Sequence, residues 1–164
     1  MGFAPANILP PRLVDQLQRI APSRDRHSRI YPCKLVLIDT SVIERALLIE
    51  EAHGLRSKGI ALEDIALIEE TPWRLPRGLA NALYDAGESG MGYAVFKMKL
   101  RDGRVIASHN SGALVDYPGL PQGVRGSDVV EVYPHLGRET WGTNDFFAEP
   151  DFVVLHFVFP AALI

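Results

Sequence analysis

The sequence predicts an α+β fold: a bent antiparallel sheet from two hairpin units, with an N-terminal helix and a short central helix. Three observations carry this expectation. Apolar or alternating runs of strand length occupy residues 33–39, 42–50, 93–101 and 104–110. Asp102-Gly103 separates the last two, a strong hairpin signal. The same order of landmarks also occurs twice: apolar strand, Asp-led turn, apolar strand, then an Asp that opens a short apolar strand. Asp39 and Asp64 stand 25 positions apart, Asp102 and Asp128 stand 26 apart. The hairpin units are expected at about 33–70 and about 92–134, within a single domain spanning 1–164.

Composition supports a packed domain. A chain of 164 residues with 47% hydrophobic content can bury roughly 70% of its unfolded surface without a disulfide or structural metal. With 23% charged residues and a net charge of −3, it is neither a disordered chain nor a strongly basic nucleic-acid binder. The lone Cys33 has no intrachain partner and is expected as a buried thiol. Met1 to Pro11 lacks the charged and apolar regions of a signal peptide, and no run reaches 18 uncharged apolar residues. The expectation is a cytoplasmic protein with no membrane or nucleic-acid partner.

The elements follow in order. Leu13, Val14, Leu17, Ile20 and Ala21 form one helical stripe, opened by Pro11 and stopped by Pro22. Residues 23–29 read as a polar basic connector. Residues 35–41, Leu-Val-Leu-Ile-Asp-Thr-Ser, resemble the opening of a PIN-type nuclease, which would continue as a helix and make Asp39 a metal ligand. The later acidic positions of that family do not appear in context, and the internal repeat makes residues 42–50 a strand. The central helix covers 77–86, with Leu79, Leu83 and Ala86 on one face and Gly87 as its cap. Residues 111–126 and 137–150 read as irregular, with Pro118-Gly119 as a type II turn. The final strand, 152–159, is apolar on both faces and is expected inside the fold, one face on the sheet core and the other on the stripe of Leu13, Leu17 and Ile20. His156 within it is expected to be neutral and hydrogen-bonded.

Chemical motifs are sparse. Gly87-Glu88-Ser89-Gly90-Met91-Gly92 lacks the last glycine of a nucleophile elbow and the Gly-Lys-Ser/Thr ending of a P-loop. As a plain loop it would need only its glycines, so replacing Ser89 with Ala is expected to leave stability nearly intact. The five histidines, His27, His53, His109, His135 and His156, show no zinc spacing. Asp116, Glu88, Glu139 and Asp145 are candidates for an acid–base pair, without a spacing that enforces one. Residues 138–151 carry one Arg and four acids among large aromatics. Such a loop, 139–149, suits a protein partner, with Trp as anchor and acids at the rim.

The function expected is therefore a small non-catalytic binding or protein-interaction domain. Its binding residues are Glu88, Ser89, His135, Trp141 and Asp145, with no catalytic residue, metal or cofactor and with a homodimer among the options. The competing expectation is a small hydrolase combining the 87–92 loop with His109 or His135. A cleft bringing Ser89 or Glu88 within about 3 Å of a histidine would favour it, and a flat acidic and aromatic surface around Trp141 would favour the binding reading.

Overall fold

The computed structural model of the chain describes residues 7–25, 27–51 and 60–161. His53 lies outside them. In chain order the elements are α1 (Pro11–Gln18), β1 (Ser23–Arg24), β2 (Arg29–Leu37), β3 (Val42–Glu50), β4 (Ile65–Glu69), α2 (Arg77–Ala86), β5 (Tyr93–Leu100), β6 (Val105–Ser111), β7 (Val129–Pro134), β8 (Phe146–Ala148) and β9 (Val153–Phe157). Short 3-10 turns at Leu62–Asp64 and Gly126–Asp128 precede β4 and β7. The class is α+β. The chain divides into two compact units: 1–22, 27–71 and 152–164 form the first, 23–26 and 72–151 the second.

In unit 1, β2 pairs antiparallel with β3 and with β4, and β9 joins β3 in parallel. In unit 2 the strand order is β7-β5-β6-β8, again with two antiparallel pairs and a closing parallel one, β6 with β8. Both hairpins are observed, but in two mixed sheets rather than one antiparallel sheet, each completed by a parallel strand.

The repeat extends to single hydrogen bonds. Leu37 N–H donates to Ser41 O and Leu100 N–H to Arg104 O, both at 2.8 Å. Ile38 N–H meets Asp64 O as Arg101 N–H meets Asp128 O, again at 2.8 Å. The Asp64 and Asp128 carboxylates accept the N–H three residues back, from Ala61 at 3.1 Å and Arg125 at 3.0 Å. Each Asp therefore closes its own turn and receives the hairpin tip. Three residues lie inside each of these tip bonds, Leu37 to Ser41 and Leu100 to Arg104, and the third is in the left-handed region: Thr40 at φ 71° and Gly103 at φ 93°. Asp39 accepts the Ser41 N–H in this turn, and the strand β3 rather than a helix follows it.

The main hydrophobic cluster of unit 1 lies on one face of its sheet, and Ile30, Leu47 and Ile49 on the other face are buried as well. Leu13, Val14 and Leu17 of α1 pack with Tyr31, Cys33, Leu35, Ala46, Leu48, Leu155 and Phe157. Alternate residues of a strand share a face, so β9 gives Leu155 and Phe157 to the same core as the helix stripe. The expected arrangement is corrected in one respect: sheet core and helix lie on the same face of β9, while Val154 and His156 on its other face are half-buried beside the buried Leu47 and Ile49. The strand is nonetheless flanked on both edges, because Val158 bridges Ile8 in parallel. His156 Nδ1 lies 3.0 Å from Glu51 Oε2.

Two local expectations change. β2 begins at Arg29, so the strand runs through Pro32 and shortens the presumed connector. Gly119 is not left-handed, which rules out the type II turn. It is glycine because a Cβ there would fall 2.2 Å from Ala148 O.

Candidate functional site

All five sequence-selected residues belong to unit 2, and the chain organises them at one end of β5 and on the outer face of its sheet. Cross-strand register assigns the faces. Ala94, Phe96 and Met98 pair with Asn110, Ser108 and Ile106 and are buried. Tyr93, Lys97 and His109 alternate with them and point the other way. The segment after β7 runs across that outer face. A Cβ on Gly137 would meet Ala107 Cβ at 2.8 Å, so only glycine lets the backbone lie this close.

Ser89 acts where β7 stops. Pro134 is the last residue of β7, and His135 turns away with φ 66°. The backbone of Val95 on the neighbouring strand needs partners at that point, and Val95 is buried. Its N–H donates to Ser89 Oγ at 2.9 Å, and its carbonyl accepts the His135 N–H at 2.9 Å. Ser89 N–H also donates to Tyr93 O at 2.9 Å. Ser89 therefore continues the ladder that β7 abandons. This bonding argues against a dispensable Ser89, because its oxygen is the partner of a buried N–H.

The same oxygen lies 2.8 Å from His135 Nδ1, while His135 Nε2 lies 3.0 Å from Ala86 O at the end of α2. A carbonyl cannot donate, so Nε2 carries a proton; in the neutral ring Nδ1 then accepts from the Ser89 hydroxyl. A second acceptor for that hydroxyl is Val95 O at 3.1 Å. Contact distance and orienting carbonyl match those of a serine with its general base. The bond from Val95 N–H occupies a lone pair of the would-be nucleophile.

Next to this pair lies an aromatic ladder. Tyr93 and His109 stack with centroids 5.4 Å apart. His109 meets Trp141 edge-on at 6.2 Å, and Trp141 meets Phe146 at 6.1 Å. Arg138 closes the other end. Its Cζ sits 5.5 Å from the Tyr93 centroid, and it donates to Tyr93 Oη at 2.6 Å and to Ser89 O at 3.2 Å. Trp141 is 49% exposed and Met91 is 99% exposed. No known family model, characterised protein or solved structure matches the chain.

The carboxylates are dispersed. Glu88 accepts the Gly92 N–H at 3.0 Å. Glu139 pairs with Lys97, whose hydrogen bond holds its carboxyl below the usual range. Asp145 is exposed beside Phe146. Asp116 sits apart and fully buried, accepting from Ser23 Oγ at 2.6 Å and from Tyr84 Oη, with its carboxyl pushed up by desolvation. These contacts join β1, α2 and the 112–119 loop, so Asp116 is a structural tie. No acid–base pair forms among the four. Among the described residues, no group of three or more His, Cys, Asp or Glu is placed to hold a metal ion. No helix of the described residues is long and apolar enough to cross a membrane.

Sequence reasoning missed Tyr93 and Arg138. The Tyr93–His109 contact is encoded in the register: with the hairpin centred on Asp102-Gly103, both residues fall on one face as diagonal neighbours. Arg138 carried no signal, since its position depends on the path of an irregular segment.

Proposed function

We propose that the chain is a non-catalytic binding module that takes a protein partner on the outer face of the unit 2 sheet. One observation carries the reading: Tyr93, His109, Trp141 and Phe146 form a continuous aromatic contact that includes a half-exposed Trp141. Rigid aromatic area at a surface is the usual anchor of protein interfaces. Chain order supports the reading. In unit 1 the chain leaves after β4 to build unit 2, so the segment between β7 and β8 that carries Arg138 and Trp141 belongs to unit 2 alone.

The test compares proteins captured from native lysate by the wild-type chain, by Trp141→Ala and by Leu67→Ala, an exposed apolar position of unit 1. A partner retained by wild type and Leu67→Ala but lost by Trp141→Ala supports the assignment. Equal capture by all three overturns it.

The 2.8 Å Ser89–His135 contact favours a second reading, a serine hydrolase. A fluorophosphonate probe separates the two. An adduct on Ser89, located by mass spectrometry and absent from the acid-unfolded protein, supports hydrolysis; an unlabelled Ser89 supports the binding module.

A further inference from the structure

We infer that the partner segment recognised at Trp141 is cationic, a stretch of protein rich in lysine or arginine. The inference rests on the binding reading above and names the chemistry of the partner. Residues 138–151 hold Glu139, Asp145, Glu149 and Asp151 against the single Arg138, a net −3. Glu139 is occupied by Lys97, and Glu149 accepts the Ser111 N–H. Asp145 and Asp151 are exposed.

The two cations nearest the rings are already engaged. Lys97 is held by Glu139, and Arg138 lies over Tyr93 with its guanidinium donating to Ser89 O and Tyr93 Oη. With Lys97 and Arg138 counted against Glu139, Asp145, Glu149 and Asp151, the surface keeps a net charge of −2 beside its aromatic area. Arg138 on Tyr93 already shows the arrangement within the chain: a cation over a ring, with oxygens accepting from it. Trp is the best ring for such a contact. Trp141 makes edge contacts with His109 and Phe146 and is half-exposed. Asp145, next to Phe146 in sequence, supplies the counter-charge. An acidic or neutral segment would gain the ring contact without the charge, and an acidic one would meet like charge as well.

Isothermal titration calorimetry of the full chain tests this with three synthetic peptides of equal length, one alternating Lys and Ala, one alternating Glu and Ala, and one of Gly and Ser. The Lys peptide is expected to bind, and its affinity is expected to fall as salt rises from low to physiological strength, as a screened charge interaction requires. Asp145→Asn is expected to weaken it about threefold and Trp141→Ala about tenfold, magnitudes set by exposed ion-pair and cation–π contacts converted at tenfold per 1.4 kcal/mol. Asp15→Asn, which removes the same charge from α1, is expected to leave it unchanged.

Equal binding of all three peptides, or equal loss with Asp15→Asn and Asp145→Asn, overturns the inference. A protein partner that depends on Trp141 but binds through an acidic or uncharged segment also overturns it, while leaving the binding-module reading intact. Loss of all Trp141 dependence removes both.

Discussion

Replacing Ser89 with alanine separates a structural serine from an idle loop residue. The substitution deletes one oxygen that accepts the Val95 N–H at 2.9 Å and contacts His135 Nδ1 at 2.8 Å. The two losses differ in cost. His135 is exposed, so water can replace the hydroxyl at its ring nitrogen. Val95 is 1% exposed, and its N–H is left without an acceptor. An unsatisfied buried donor costs about 1–3 kcal/mol. For a chain of this length, 1 kcal/mol moves the midpoint by about 2–4 °C. Ser89→Ala is therefore expected to melt about 6 °C lower, followed by far-UV circular dichroism, and to shift the urea midpoint in the same sense. His135→Asn is the partner experiment. Asn tolerates the left-handed backbone at that position, and the side chain is exposed, so stability should stay within about 0.5 kcal/mol of wild type. If Ser89→Ala melts within about 1 °C of wild type, the hydroxyl is not the acceptor that Val95 needs and the argument fails.

Other perturbations test the fold around it. Thr40 occupies the left-handed position that Gly103 fills in the second hairpin, so Thr40→Gly should stabilise the chain by about 0.5–1 kcal/mol in urea unfolding, and Gly103→Ala should destabilise it by about 1 kcal/mol. Desolvation raises the Asp116 carboxyl above its ordinary value of 3.8 in the folded chain, so its stabilising contribution is full below that pH and is lost as pH rises through the folded value. Urea titrations from pH 3 to 7 should accordingly show wild type losing stability relative to Asp116→Asn as pH increases; a constant difference would contradict the buried ionisation. Leu155→Ala empties a buried position of the unit 1 core and should cost about 3 kcal/mol, measured by the same unfolding transition.

Legibility in the sequence followed the range of the physics involved. The hairpins were readable because strand period and turn chemistry act within ten residues. The matching Asp64 and Asp128 were readable for a sharper reason than spacing: each must cap its own 3-10 turn and accept a hairpin-tip N–H, so the aspartate recurs in the same place. Pro32 misled at the start of β2, since proline usually marks a strand boundary. The brief strand β8 stayed hidden inside residues 137–150. Three residues carry too little pattern, and its pairing with β6 is parallel and long-range. Pro118-Gly119 misled in another way. The glycine serves a close approach to the backbone of Ala148, which no local pattern reports.

The candidate site divides along the same line. Trp141 and Asp145 could be chosen by residue type, and Ser89 and His135 by their loops, but their roles depend on where β7 ends. That end is set by Pro134, which has no N–H to continue the ladder, and by the left-handed turn at His135. From it follow the unpartnered backbone of Val95, the use of Ser89 to satisfy it, and the departure of the chain across the outer face of the sheet. The repeat makes the consequence specific. Unit 1 reaches the equivalent point after β4 and spends the next stretch of chain on an entire second unit before β9 returns to close its sheet. Unit 2 closes its own sheet through the segment 135–145. The same scaffold thus ends in two ways, and only one of them leaves a short segment lying on its own sheet, where Gly137 brings the backbone close and Trp141 joins the rings of His109 and Phe146.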